Sequence, residues 1–115
     1  MPRFRVLVVG AGPSGLAAAI DLAKSGIKVC IVEARDGAGS GSRAVCYSRR
    51  TLEVLDRLGF AHRCIEKGVS WDVGRTFFQD REVFRFNLSP EQGYQFPGMV
   101  NLQQFYLEQF AVEQA

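Results

Sequence analysis

Apolar residues come first in an almost continuous run, Phe4–Val9 (FRVLVV), rich in β-branched side chains. That pattern predicts a strand buried on both faces, as in a parallel sheet. The glycine-rich turn Gly10–Gly15 follows, and then Leu16–Ser25, alanine-rich and free of β-branched residues apart from Ile20. This segment predicts a helix. Pro13 sits near its start, where a missing N–H does no harm, and Gly26 at its end, where a left-handed cap is wanted. Lys28–Glu33 (KVCIVE) predicts a second strand. Residues 4–33 therefore read as one βαβ unit, whose right-handed crossover makes the two strands parallel.

Beyond it the pattern changes. Asp36–Ser42 (DGAGSGS) reads as a loop, and Ser48–Leu58 as a helix with Leu52, Leu55 and Leu58 at helical spacing, stopped by Gly59. Val73–Phe78 and Glu82–Leu88 are β-prone on either side of the polar break Gln79-Asp80-Arg81, which predicts a hairpin over 73–88. Trp71, Phe77, Phe78, Phe84 and Phe86 are assigned to that hairpin, as packing surface rather than as a wall around a substrate. Ser89–Met99, with Pro90, Gly93, Pro97 and Gly98, reads as a loop. Asn101 is expected to open a last helix over 102–114, with Leu102, Phe105, Tyr106 and Phe110 on one face. The fold class expected is α/β: a Rossmann-like βαβ unit with an added hairpin. Only two convincing parallel strands are supplied, so the chain is expected to be a fragment of a larger doubly wound, three-layer domain and a poor folding unit alone.

Composition narrows the functional classes. Hydrophobic residues at 47% and charged residues at 23% exclude a disordered tail, a collagen-like chain and a coiled coil. Fourteen basic and twelve acidic residues are interspersed without a basic stripe, so no nucleic-acid partner is expected. Cys30, Cys46 and Cys64 are odd in number and widely spaced, and His62 is the single histidine. Neither a disulfide framework nor a metal site is expected, and the usage fits a reducing, cytoplasmic location. Arg3 and Arg5 before Val6–Ile20 resemble a signal peptide, but Gly10, Gly12, Pro13 and Gly15 interrupt the stretch. No apolar run reaches the ~20 residues of a membrane span.

The chemistry lies in Gly10-x-Gly12-x-x-Gly15. Alone it is a weak signal. Here it follows a strand, opens a helix, and is answered by Glu33, 18 residues after Gly15 at the end of the second strand. Gly10 allows the tight turn, Gly12 lets a pyrophosphate approach the backbone, and Gly15 lets the helix pack closely on the sheet. Helix N–H groups and the positive end of the helix dipole face the phosphates, with Pro13 and Ser14 in the same turn. Glu33 is placed to accept both ribose hydroxyls of an adenosine, and it would repel a 2′-phosphate there. Ala34 and Arg35 follow it; Arg35 reads as a border of the adenine or equally as a solvated strand end. NAD enzymes and flavoproteins share this fingerprint, so the residues alone leave the dinucleotide open.

Three segments, VVGAGPSG (8–15), VCIVEAR (29–35) and GSRAVCYSRRTLEVLDRLG (41–59), resemble the N-terminal part of the FAD-dependent aromatic hydroxylases related to 4-hydroxybenzoate hydroxylase. The later stretch 68–108 is similar to the 3-(3-hydroxyphenyl)propionate hydroxylase-like branch. The resemblance implies FAD as cofactor, NAD(P)H as reductant, and transfer of oxygen from O2 to a small aromatic substrate. It implies that Arg43 reaches the ribityl-pyrophosphate region of FAD, although by itself Arg43 reads equally as a surface residue. It implies that Gln104 approaches the ribityl chain. Asn101-x-x-Gln104 is also a capping-box spacing, so Gln104 reads as well as a bond back to Asn101. No catalytic acid or base is identified, and a homo-oligomer is left open. The alternatives carried are an NAD-dependent Rossmann dehydrogenase and a truncated, non-catalytic dinucleotide-binding fragment.

Overall fold

The computed structural model describes residues 3–36 and 44–115. Arg43 and nearly all of the glycine- and serine-rich loop lie outside the described residues. Strand β1 (Val6–Val9) pairs in parallel with β2 (Val29–Val32), Val6 opposite Val29 and Val9 opposite Val32. Between them runs α1 (Pro13–Lys24), which buries Leu16, Ala19 and Ile20. Gly26 ends it at φ +79°, its N–H bonding to Ala23 O and that of Ile27 to Leu22 O. These two bonds satisfy carbonyls the last turn leaves open, and glycine alone takes that φ without strain.

The expectation that β1 is buried on both faces is corrected. Leu7 is 61% and Val9 80% exposed, because α1 covers one face of the pair and no described element covers the other.

A second, antiparallel sheet was not foreseen. Its order is β3 (Cys46–Ser48), β7 (Met99–Asn101), β4 (Val69–Trp71), with β7 in the middle. Each strand has three residues, too short for a period-two pattern to register. Between β3 and β4 lie α2 (Arg49–Leu58) and α3 (Ala61–Lys67), the latter also unforeseen. Ser48 caps α2 by accepting the Thr51 N–H at 3.3 Å, and Gly59 ends it at φ +103°. Leu52, Leu55 and Leu58 of α2 join Leu16 and Ile20 of α1, Cys64, Val100 and Leu102 in one core.

The last helix is α4 (Gln104–Gln114). Asn101 does not open it: Asn101 is the final residue of β7, and its side-chain oxygen accepts the Trp71 indole N–H at 2.8 Å. The capping-box reading fails for that reason. The buried face of α4 is Leu107, Glu108, Phe110 and Ala111, while Phe105 and Tyr106 are only half-buried.

The hairpin consists of β5 (Val73–Phe78) and β6 (Arg81–Asn87), joined at Gln79-Asp80 with Gln79 at φ +53°. Arg81 belongs to the strand rather than to the turn, and Trp71 belongs to β4. Phe86 lies across Gly74, and Phe77, Phe78 and Phe84 are exposed. The molecule measures 64 × 32 × 20 Å along its principal axes.

Arg49, the first residue of α2, ties the loop after the hairpin to the core. Its guanidinium donates to Phe96 O at 3.1 Å, to Leu88 O at 3.0 Å and to the Ser89 hydroxyl, and lies 3.8 Å over the Tyr94 ring. Asp72 accepts from the Ser89 hydroxyl at 2.6 Å and from the Gly98 N–H at 2.7 Å. The Ser89 hydroxyl, then the Gly98 N–H, hold the Asp72 carboxyl below its ordinary range. Only a planar, five-donor group reaches several acceptors in one plane and stacks at once. Arg49→Ala is expected to cost about 2–4 kcal/mol in urea unfolding, and Arg49→Lys to recover less than half of it.

Candidate functional site

At the C-terminal end of β1 the chain must reverse into α1 within a few residues. Gly10 does so at φ +104°, a conformation L side chains rarely adopt, while its N–H extends the ladder to Val32 O at 2.8 Å. Gly12 caps the helix at φ −76°, an ordinary angle, and a Cβ there would meet nothing within 4 Å. Gly15 differs: a Cβ there would lie 2.1 Å from Gly10 O and 3.3 Å from Val8 Cγ1. The three glycines therefore have separate causes: a left-handed turn, an open approach to the backbone, and a helix seated directly on the strand end.

No side chain caps α1, and Pro13 occupies its first turn. The first-turn N–H groups of Ser14 and Gly15 have no partner within the helix, and the positive end of its dipole faces outward. Such an end favours an anion.

Glu33 stands opposite. Oε2 of its carboxylate accepts the Ala11 N–H at 2.7 Å, and Oε1 accepts the Arg35 N–H at 3.1 Å and Arg35 Nε at 3.4 Å. The Ala11 N–H, then the Arg35 N–H and guanidinium, pull its pKa from 4.5 to about 2. The carboxylate is thus ionised at neutral pH, able only to accept, and with lone pairs to spare. Strand pairing brings Gly10, Gly12, Gly15, Glu33 and Arg35 to one end of the β1–β2 pair; Ser14 and Ala34 are exposed beside it.

Gln104 belongs to a second cluster. Its Oε1 accepts the Ala44 N–H at 3.2 Å, and its Nε2 donates to Glu108 Oε1 at 3.0 Å. Pairing of β3 with β7, Cys46 opposite Asn101, brings Ala44 and Gln104 together across 60 residues. Glu108 had not been singled out from sequence. Its signal was the four-residue spacing from Gln104, which places both on one face of a helix. The bond from Ala11 to Glu33 had no sequence signal.

Cys64 is buried, and burial pushes its thiol up to about 11; Cys30 is half-buried and Cys46 exposed, all three as free thiols. Among the described residues no group of three His, Cys, Asp or Glu side chains could hold a metal ion, and no helix is long and apolar enough to cross a membrane.

Comparison with known proteins gives consistent matches. Residues 3–115 match the family model described as FAD binding domain. The 6-hydroxy-3-succinoylpyridine 3-monooxygenase HspB of Pseudomonas putida is 33% identical over 96% of this chain and 29% of its own length. The para-nitrophenol 4-monooxygenase of Pseudomonas sp. strain WBC-3 is 50% identical over 54 residues, 47% of this chain and 13% of its own length. The crystal structure of p-nitrophenol 4-monooxygenase PnpA from Pseudomonas putida superimposes with a TM-score of 0.86 at 29% identity, covering 95% of this chain and 28% of that one. The chain thus spans under a third of the length of these relatives.

Two outcomes follow from the geometry. Gly15→Ala is expected to destabilise by about 3 kcal/mol or more, because its methyl group meets backbone, whereas Gly12→Ala is expected to stay within about 0.5 kcal/mol; chemical denaturation checks both. Glu33 has a lowered pKa in the folded state, so its contribution is full above the unfolded value and is lost as pH falls through the folded one. The stability difference between wild type and Glu33→Gln is therefore expected to persist at pH 6 and to close between about 4.5 and about 2 in acid titrations of unfolding.

Proposed function

The chain belongs to the FAD binding domain family, and from that premise we propose that it is the N-terminal FAD-binding part of a flavin-dependent monooxygenase acting on a phenolic ring with NAD(P)H and O2. One observation carries this reading: a glycine turn open at Gly12, an uncapped helix N-terminus, and an ionised carboxylate bonded across that turn to Ala11. These are the features an adenosine diphosphate requires. It needs close backbone approach and N–H donors for its pyrophosphate, and an acceptor for its ribose hydroxyls.

FAD, when bound, supplies the redox and oxygen-transfer chemistry. The roles of this chain's residues are binding and orientation. Gly10, Gly12, Pro13, Ser14 and Gly15 form the phosphate turn. Glu33 accepts from the ribose, and Ala34 and Arg35 border the adenine. Arg43 serves as a bidentate partner for the pyrophosphate region, and Gln104 approaches the ribityl chain. The hydrogen bond that the N–H of Ala44, the residue after Arg43, donates to Gln104 Oε1 supports assigning both to one site. No residue is assigned as catalytic acid or base. The substrate we favour is a phenol of the kind taken by the 3-(3-hydroxyphenyl)propionate hydroxylase-like branch, on the similarity of 68–108. A cytoplasmic location is part of the same reading.

Protein expressed from the complete reading frame is expected to be yellow, or to take up FAD on reconstitution, and a colourless protein that binds NAD alone would overturn the proposal. Glu33→Ala is expected to weaken FAD binding at least about tenfold in flavin fluorescence titrations, through loss of charge-assisted bonds. Gly12→Ala is expected to impair FAD binding while the fold stays intact.

A further inference from the structure

Glu108 is the one charged side chain buried among the described residues, at 2% exposure. A buried carboxylate is retained against a large desolvation cost. Resting on the reading that this site takes FAD, we propose that Glu108 is a positioning residue for the cofactor, acting through Gln104.

A glutamine amide has two ends of nearly equal shape and opposite hydrogen-bonding character. What decides their order is the partners. A carboxylate only accepts, so the end of Gln104 facing Glu108 Oε1 must be the NH2 group, at 3.0 Å. The carbonyl end then faces the Ala44 N–H, which only donates, at 3.2 Å. The chain of bonds runs one way, from Ala44 through Gln104 to Glu108. Its two side chains sit one turn apart on α4.

The tie fastens the start of β3 to the start of α4. Ala44 directly precedes Val45, whose carbonyl accepts the Leu102 N–H at 2.8 Å, so Gln104 continues beyond the strand the grip of β7 on β3. With both bonds made, Gln104 retains one N–H and one carbonyl lone pair, each in a set direction, to offer a ligand. Without Glu108 the Gln104 carbonyl is held by the Ala44 N–H alone, and its NH2 end loses the partner that fixes the amide plane.

The test is FAD affinity by flavin fluorescence titration, with visible circular dichroism of the bound flavin and thermal unfolding measured alongside, in protein from the complete reading frame. Glu108→Leu is expected to weaken FAD binding at least about tenfold, and the double variant with Gln104→Leu to lose clearly less than the two single losses multiplied, because the two residues share one hydrogen bond. Glu108→Gln is expected to lose less than Glu108→Leu, since its carbonyl accepts the same N–H. Gln104→Glu sets two carboxylates face to face and is expected to lose at least about tenfold; adding Glu108→Gln restores a donor between them and recovers most of the loss.

Additive losses of the two leucine variants would overturn the positioning role. If those variants do not fold, failure of Glu108→Gln to relieve Gln104→Glu overturns it instead. Wild type that binds FAD, with Glu108 variants indistinguishable from it, ends this proposal alone. Wild type that takes up no FAD ends the functional reading and this proposal with it.

Discussion

How closely α1 can approach the end of β1 governs the rest of the molecule. A Cβ on Gly15 would lie 2.1 Å from the Gly10 carbonyl, so only the absence of a side chain lets the helix begin where it does. The turn is consequently short, and the helix axis starts at the strand end. The unpaired first-turn N–H groups emerge beside the C-terminal ends of both parallel strands. The carboxylate on the neighbouring strand meets the turn that precedes the helix, at the Ala11 N–H.

That carboxylate completes the site by holding the turn rather than merely facing it. Glu33 bonds the Ala11 N–H inside the glycine turn and the Arg35 backbone beyond β2, so one side chain couples the ends of two strands. The same bonds that lower its pKa keep it ionised and acceptor-only. Its charge and the helix N-terminus thus set a hydrogen-bond acceptor and a group of hydrogen-bond donors on the same strand ends.

The antiparallel sheet plays a different part. It has one short central strand, β7, and its value lies in what it juxtaposes. Pairing β3 with β7 brings Ala44, next in sequence to Arg43, against the first turn of α4. Arg49 and Asp72 hold the loop before β7 in place, and so fix where that strand enters the sheet. The hairpin, by contrast, rests on little of the chain and leaves Phe77, Phe78 and Phe84 exposed.

Much of this was legible in the residues themselves, where local rules operate. The strand–turn–helix–strand order, the positive φ of Gly10 and Gly26, the leucine face of α2 and the hairpin all follow from period, propensity and glycine chemistry within a short window. Strands of three residues carry too little pattern to be read, and Asn101 matched a helix cap in spacing while its side chain was engaged by Trp71 on another strand. The exposure of Leu7 and Val9 was equally unreadable, because an apolar run does not say how many of its faces the rest of the chain will cover. The sequence by itself therefore determined the glycine turn and the acidic residue at the end of the second strand, since both lie within one βαβ unit. Only the tertiary structure decided that Ala11 bonds to Glu33 and that Ala44, Gln104 and Glu108 form one directed chain, because those contacts depend on strand pairing between residues far apart, which no local pattern encodes.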